Sequence, residues 1–272
     1  MKSPFFASRQ PLLHFLLIWV LVAGTVVPSA AQEADQFEAK KYTAKNGVEL
    51  PYRVLLPENF DPSKRYPLLL FLHGSGERGN DNKAQLVHGS ALFLQKRADF
   101  PAIVVFPQCA KEGYWASAKI DRNQPKYKFA YDYVTRGETP QLAAVMELVK
   151  ELDKLYKIDR KRRYIMGLSM GGMGTFEAIS RHPGVFAAAI PICGGGDTTQ
   201  VRKFSRKLPL WVFHGSEDNV VHADFSRSMV KAIEAAGGKV KYTEYPGLNH
   251  NSWDKAFSEP ELLPWLFAQK RK

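Results

Sequence analysis

The feature that most constrains this chain is a Gly-x-Ser-x-Gly motif centred on Ser169. An apolar run from Tyr164, short enough for a buried strand, precedes it, and a helical-looking segment over residues 173–181 follows. A serine on such a sharp strand-to-helix turn needs neighbours without bulk, which Gly167 and Gly171 provide. This order predicts a nucleophile elbow that raises Ser169 Oγ above the end of a sheet, provided that the chain also supplies partners for the serine.

Strands and helices alternate along the rest of the chain after an opening hairpin. The hairpin is predicted over residues 42–56, because Asn46-Gly47 is a strong two-residue turn signal between alternating residues. Continuous apolar runs then predict buried strands at residues 67–72, 102–106, 164–167, 187–192, 208–213 and 240–245, with helices at residues 84–96, 139–155 and 223–236. The pattern predicts an α/β protein with a mainly parallel central sheet, helices on both faces and an N-terminal antiparallel hairpin. Without a repeat or linker, residues 32–272 are predicted to form a single domain.

Residues 1–31 have the layout of a signal peptide. Lys2 and Arg9 give a basic start, residues 11–27 are mostly apolar, and small residues lead to Ala31. The apolar run is short for a bilayer span, which needs ~20 residues. We expect cleavage after Ala31 and a periplasmic or secreted protein without stable membrane insertion; an uncleaved anchor is the alternative.

The formal net charge of +11 could attract an anionic polymer or an acidic substrate. The basic residues are dispersed, however, and no stacking-aromatic or zinc-ligand module accompanies them. We therefore expect a solvated basic surface and no nucleic-acid partner. Cys109 and Cys193 follow predicted strands that lie three positions apart, roughly 14 Å at ~4.8 Å per strand. A disulfide needs Cα atoms within about 7 Å, so a disulfide would form only if the loops closed this gap. Two free thiols are expected.

Polar residues directly after strands are candidates for chemistry, because ligands of open α/β sheets bind beyond the carboxyl ends of the strands. Asp218 follows one predicted strand and His250 follows the last one, which gives the chain order Ser, Asp, His. His250 would take the hydroxyl proton of Ser169, and Asp218 would hold the imidazole in the correct tautomer. Glu217 and Asp197 are the alternatives to Asp218.

Two backbone N–H groups are expected to form an oxyanion hole. One belongs to Met170, the residue after the nucleophile, and the other to Ser75 in the glycine-rich turn that follows the strand at residues 67–72, with Gly76 next in line. Of the remaining histidines, His14 belongs to the leader. His73 and His214 are assigned to buried strand ends, and His88, His182 and His222 to helices.

Five stretches resemble motifs of one enzyme family: residues 72–81, 107–109, 167–172, 191–197 and 214–221. They are similar to motifs of secreted bacterial α/β-hydrolases of the prolyl-oligopeptidase-like, dienelactone-hydrolase-like or "predicted peptidase" type, over nearly all of residues 32–272. The resemblance implies the α/β-hydrolase fold and a Ser169–Asp218–His250 triad. This chain departs from the family in two ways. Dienelactone hydrolases use a cysteine where this chain has Ser169, and prolyl oligopeptidases carry a large propeller domain for which this chain has no room. A small ester is therefore favoured over a peptide as substrate.

The predicted function is that of an exported serine carboxylesterase, acting on small or sugar-linked esters through an acyl-enzyme on Ser169, with no metal or cofactor. The aromatic-rich residues 110–138 have no simple assignment and are expected to overhang the site. Trp115 is expected to line the substrate pocket, the alternative being that the aromatic residues only pack this segment. A serine peptidase of short peptides and a non-catalytic polymer-binding protein are the alternative functions.

Overall fold

The computed structural model describes residue 1, residues 35–121, residue 123 and residues 128–272. The predicted signal peptide therefore lies outside the described residues, apart from its first residue. No described helix combines the length and the apolar character that crossing a bilayer requires.

Strands and helices alternate as the sequence predicts. In the part of the chain that the structure describes, ten strands and six α-helices follow one another. The strands are β1 (Glu38–Thr43), β2 (Glu49–Leu55), β3 (Tyr66–Leu72), β4 (Ile103–Pro107), β5 (Ala118–Asp121), β6 (Lys128–Tyr131), β7 (Ile158–Leu168), β8 (Ala188–Ile192), β9 (Leu210–Gly215) and β10 (Val240–Tyr245). The helices are α1 (Ser90–Gln95), α2 (Pro140–Leu155), α3 (Met170–Arg181), α4 (Asp224–Ala235), α5 (Trp253–Phe257) and α6 (Leu262–Phe267).

Eight strands form one sheet in the order β1-β2-β4-β3-β7-β8-β9-β10. β1 and β2 form the predicted antiparallel hairpin, β2 pairs antiparallel with β4, and every further neighbouring pair is parallel. All parallel strands therefore end at the same edge of the sheet, where their connecting loops meet. The predicted α/β-hydrolase fold is confirmed.

Both faces of the sheet are covered. On β3, Leu68 and Leu70 belong to the cluster that includes residues of α2, α3 and α4, whereas Leu69 and Phe71 belong to the cluster that includes residues of α1, α5 and α6. All four side chains are fully buried, and burying each contributes about 2 kcal/mol. A strand with two covered faces must be apolar at every position, which is why β3 has a continuous apolar sequence.

Two elements differ from their predicted bounds for local reasons. The helix predicted at residues 84–96 is split into a 3-10 turn (Ala84–Leu86) and α1, because Gly89 between them adopts a left-handed φ of 82°. β7 begins six residues before its predicted start. Its first half carries exposed charged residues, such as Arg160 and Lys161, which hide the strand from an apolar pattern.

The segment at residues 110–138 contains its own small sheet, which the sequence did not predict. β5 and β6 pair antiparallel with each other and not with the main sheet. The segment is bound to α3 by Glu177, whose fully buried carboxylate accepts hydrogen bonds from Ser117 N (2.5 Å), Ser117 Oγ (2.8 Å) and Arg181 Nε (2.5 Å). Burial raises the pKa of Glu177, and these hydrogen bonds oppose that rise. The segment is therefore attached to the helix that follows Ser169.

The two cysteines are free and buried, as predicted. Cys109 follows β4 and Cys193 follows β8, and these strands are three positions apart in the sheet. Burial raises the pKa of the Cys109 thiol to about 12 and also raises the pKa of the Cys193 thiol.

Candidate active site

Ser169 lies on a tight turn between β7 and α3. Its φ of 52° and ψ of −115° are unusual for a residue with a side chain, and such conformations cost about 1–3 kcal/mol unless their surroundings enforce them. Here Ser169 N donates to Ile192 O at 2.8 Å, which fixes the turn against the end of β8. The turn has the conformation that a nucleophile elbow requires.

The start of α3 crosses very close to the end of β3. A Cβ atom at Gly171 would overlap the carbonyl oxygen of Leu72, and a Cβ atom at Gly167 would overlap the backbone of Gly171. Neither overlap could be relieved by a side-chain rotation, because the atoms that are met belong to the main chain. The two glycines therefore allow the close approach that places Ser169 above the sheet.

The structure brings together the three side chains that the sequence predicted. His250 Nε2 lies 2.9 Å from Ser169 Oγ, and His250 Nδ1 lies 2.7 Å from Asp218 Oδ2. Asp218 can only accept when ionised, so Nδ1 carries a proton and the Nε2 lone pair faces the serine hydroxyl. This is the tautomer in which an imidazole can take a proton from Ser169.

Asp218 is held as a buried anion by four hydrogen bonds. Oδ1 accepts from Val220 N and Val221 N, both at 2.9 Å, and Oδ2 is shared by His250 and His214. Burial alone would raise the pKa of Asp218, but the hydrogen bonds from the two histidines and from the backbone hold it well below its usual range. The carboxylate therefore stays ionised across the ordinary pH range.

The alternative carboxylates lie elsewhere. Glu217 is exposed to solvent. Asp197 caps the 3-10 turn Thr198–Lys203 by accepting from Thr199 N at 2.9 Å, and it also accepts from Tyr133 N at 2.9 Å. Neither makes a hydrogen bond to His250.

The loop that carries His250 is held by a hydrogen bond from Cys193, the residue after β8. Cys193 Sγ donates to the His250 carbonyl oxygen at 3.2 Å and lies 2.9 Å from Ser252 Oγ. Cys193, Asp218 and His250 place three possible metal-ligand atoms within 4.8 Å of one another. The raised pKa of the Cys193 thiol disfavours the thiolate that a metal would need, and the other two side chains are bonded to each other.

The two amides predicted for an oxyanion hole lie at the first positions of helical turns. Met170 begins α3, and Ser75 begins the 3-10 turn Ser75–Glu77; N–H groups at such positions have no partner within their own turn. Ser75 and Ser169 border the same cleft. A Cβ atom at Gly74 would lie 3.7 Å from Ser169 Cβ, so the glycine-rich loop adjoins the serine. Their role in holding an oxyanion stays a prediction.

The cleft beside Ser169 is lined mostly by apolar and aromatic side chains. They come from the segment at residues 110–138 and from the loop after β9, so the segment does border the site. The lining residues besides the two serines are Tyr114, Ile120, Phe129, Val220 and Val221.

The prediction that Trp115 lines this cleft is wrong. Trp115 is fully buried, with its Nε1 donating to His73 O at 3.1 Å and its ring 5.2 Å from the His73 ring. It packs against Gly174 of α3 and supports the end of β3 from within the core. Its neighbour Tyr114 reaches the cleft instead.

The similarity of the chain to known proteins agrees with these observations. The family model described as "Putative esterase" matches residues 43–260. The chain belongs to this esterase family. A crystal structure of a thermostable esterase shares 40% identity with it and superimposes with a TM-score of 0.78, over 88% of this chain and 64% of that one.

Two curated relatives of the chain are named as esterases. A bifunctional acetylxylan esterase/xylanase of Neocallimastix patriciarum is 30% identical over 182 residues, which is 66% of this chain and 23% of the fungal protein. A protein of Aspergillus flavus named "Probable feruloyl esterase C" is 25% identical over 222 residues, which is 78% of this chain and 73% of that protein. The chain thus spans under a quarter of the bifunctional relative.

Sequence reasoning missed one residue that contacts the candidate site. His214, assigned to packing at a strand end, is fully buried, and its Nε2 lies 3.1 Å from Asp218 Oδ2. The available signal was its position at the end of β9, four residues before Asp218.

The buried His73 is expected to make the esterase fold sensitive to acid. Its Nε2 accepts from Cys109 N at 2.9 Å and its Nδ1 lies 2.6 Å from Gly74 O, so the ring is neutral and fully bonded. Burial lowers the pKa of His73 to about 4 from its ordinary 6.5. The unfolded chain binds the proton first as the pH falls, so this group lowers the free energy of unfolding between about pH 6.5 and pH 4, by about 3 kcal/mol in total.

Urea unfolding at pH 7.5 and pH 4.5 measures this loss. His73→Gln cannot titrate, and although it starts from a lower stability at pH 7.5, it should lose about 2.5 kcal/mol less than the original chain over the same interval. Equal losses in the two proteins would show that His73 does not carry the acid sensitivity.

Proposed function

We propose that this esterase is a serine carboxylesterase that forms an acyl-enzyme on Ser169. The observation that carries the proposal is the continuous hydrogen-bonded line from Ser169 Oγ through His250 to Asp218, with distances of 2.9 and 2.7 Å. A serine hydroxyl is a poor nucleophile unless a base takes its proton as it attacks. His250 is in hydrogen-bonding position to do so, in the tautomer that Asp218 enforces.

The reaction would pass through two tetrahedral intermediates. Ser169 Oγ attacks the ester carbonyl and passes its proton to His250 Nε2, while the N–H groups of Met170 and Ser75 donate to the developing oxyanion. His250 then returns the proton to the departing alcohol oxygen, which leaves the acyl group on Ser169. Water, activated by His250, releases the acid by the same steps in reverse order. Asp218 stays ionised throughout and stabilises the imidazolium.

We propose that the substrates are small or sugar-linked carboxylic esters. The apolar and aromatic cleft beside Ser169 suits an acyl group. His250 must protonate the leaving oxygen, so the alcohol portion lies on the His250 side. The name of one relative, acetylxylan esterase, supports a carbohydrate alcohol.

We also propose that residues 1–31 direct export and that residues 32–272 form the single catalytic domain. The basic start, apolar run and small residues before Ala31 support a cleaved leader. The partner of the mature domain would be a small-molecule ester.

A panel of substrates with one acyl group tests the reaction class. We expect the domain to hydrolyse p-nitrophenyl acetate and acetylated xylo-oligosaccharide, with kcat/KM for the peptide-bonded equivalent at least about 10³-fold lower, because an amine is a poorer leaving group than an alcohol. Initial rates on acetyl and butyryl esters and on an N-acetyl dipeptide measure this. Comparable rates on the amide would favour the peptidase, and no turnover together with no labelling by a fluorophosphonate would favour the polymer-binding protein.

A further inference from the structure

His214 is a second histidine bound to the carboxylate of the active site. It lies at the end of β9, and its side chain and that of Asp218 are both fully buried. Its Nε2 lies 3.1 Å from Asp218 Oδ2 and 2.7 Å from Val221 O. Its Nδ1 lies 2.7 Å from Ser226 Oγ on α4. All polar atoms of the ring are therefore engaged.

The proton on His214 Nε2 follows from its neighbours. A backbone carbonyl and an ionised carboxylate can only accept hydrogen bonds. A bare nitrogen in that position would face two acceptors in a buried site, which is strongly unfavourable. Nε2 must therefore carry a proton that is shared between Val221 O and Asp218 Oδ2.

The orientation of the ring is fixed from its other side. Ser226 Oγ contacts His214 Nδ1 at 2.7 Å and Gly194 O at 2.9 Å, so it connects the ring to α4 and to the loop after β8. Ser226 is itself fully buried. The ring cannot turn Nε2 away from Asp218 without breaking these contacts.

We propose that His214 is a second, positioning histidine of the active site, a role that rests on the proposed esterase mechanism. Its Nε2–H holds Asp218 Oδ2 in the position that faces His250 Nδ1. Because the same oxygen accepts from both rings, the donor from His214 takes up part of the negative charge that would otherwise hold a proton on His250. His214 thus keeps the base aligned and allows it to release its proton to the leaving alcohol.

Other ionisable groups around the pair keep one charge state near neutral pH. Glu244 is the neighbour of His214 across β9 and β10, and Arg227 on α4 binds it at 2.6 Å and holds the pKa of that carboxyl below its usual range. Cys193, on the β8 side, is a neutral thiol because burial raises its pKa. If substitution of His214 changes the pH dependence of activity, the change therefore reports on the protonation of His250.

Two substitutions separate this role from packing. His214→Leu fills the space without a donor, whereas His214→Gln can present an N–H at the position of Nε2. We expect His214→Leu to move the acid limb of the kcat/KM profile upward by about one pH unit and to lower kcat about 10- to 100-fold, because Asp218 is no longer held in place. His214→Gln should restore the position of the limb. His182→Gln, far from the site and paired with Glu138, is the matched control.

A second readout does not require turnover. NMR of histidine-labelled protein follows the protonation of the His250 ring directly, and we expect its midpoint to move upward in His214→Leu and not in His214→Gln. Midpoints and acid limbs that coincide in all variants would overturn the role of His214, even where stability falls. If the original chain is inert on esters but His214→Leu still moves the His250 midpoint, the proposed function is wrong and His214 remains the second partner of Asp218. If His214→Leu does not fold, Ser226→Ala, which frees the ring, should show a smaller upward shift, and the absence of any shift would count against the proposal.

Discussion

Replacing Ser169 with alanine is expected to lower kcat/KM for p-nitrophenyl acetate and butyrate by about 10⁴-fold or more. The substitution removes the hydroxyl oxygen on which we propose that the acyl-enzyme forms, and His250 then has no Ser169 hydroxyl from which to take a proton. Some catalysis over water should persist if the amides of Met170 and Ser75 form the proposed oxyanion hole, because they would still polarise a bound carbonyl. Initial rates at pH 8, after removal of contaminating esterases, measure the effect.

The fold should survive the Ser169→Ala substitution. Alanine meets the same backbone strain at a φ of 52° as serine does, and within the described part of the chain the hydroxyl is hydrogen-bonded to His250 alone. The melting temperature should therefore stay within a few degrees, and labelling by a fluorophosphonate should disappear. A variant that keeps more than a tenth of the original activity would show that Ser169 is not the nucleophile.

The sheet and the three polar residues above it could be predicted because simple physical rules fix them. Strands covered on both faces must be apolar throughout, so β3, β4 and β8 are visible as uninterrupted runs. Parallel strands end at one edge of the sheet, so residues directly after them, such as Asp218 and His250, must lie near Ser169. Predicting these positions requires the order of elements along the chain and no knowledge of side-chain packing.

The substrate side of the site could not be predicted in the same way. Trp115 and Tyr114 are adjacent in the chain, and which of them faces the cleft depends on how residues 110–138 fold back on α3. That packing is set by the buried Glu177, whose partner Ser117 is distant in sequence. From the sequence alone, a carboxylate in the middle of a helix is expected to be exposed to solvent, and only the structure shows the partners of Glu177. For His214, the position at the end of β9 was a signal, but the hydrogen bond between its side chain and that of Asp218 is seen only in the structure.

Gly171→Ala is expected to destabilise the fold by about 3 kcal/mol, a drop of about 10 °C in the melting temperature. Helix propensity alone would predict the opposite, since alanine is favoured over glycine within a helix by about 1 kcal/mol. The added Cβ atom would overlap the carbonyl oxygen of Leu72 and approach that of His73. These atoms belong to the main chain at the end of β3, so α3 must move away from the sheet. Urea and thermal unfolding of the purified domain measure the loss.

Gly137→Ala is the matched control, because a Cβ atom there would meet nothing within 4 Å and should change stability by less than about 1 kcal/mol. Displacement of α3 would also move Ser169 and the N–H of Met170, so Gly171→Ala should lose activity even where it remains folded. A misplacement of about 1 Å at a reacting group can cost about 100-fold in rate. If Gly171→Ala proved as stable and as active as Gly137→Ala, the contact between α3 and β3 would not be what positions the serine, and the strained turn at Ser169 would have to be held by its hydrogen bond to Ile192 alone.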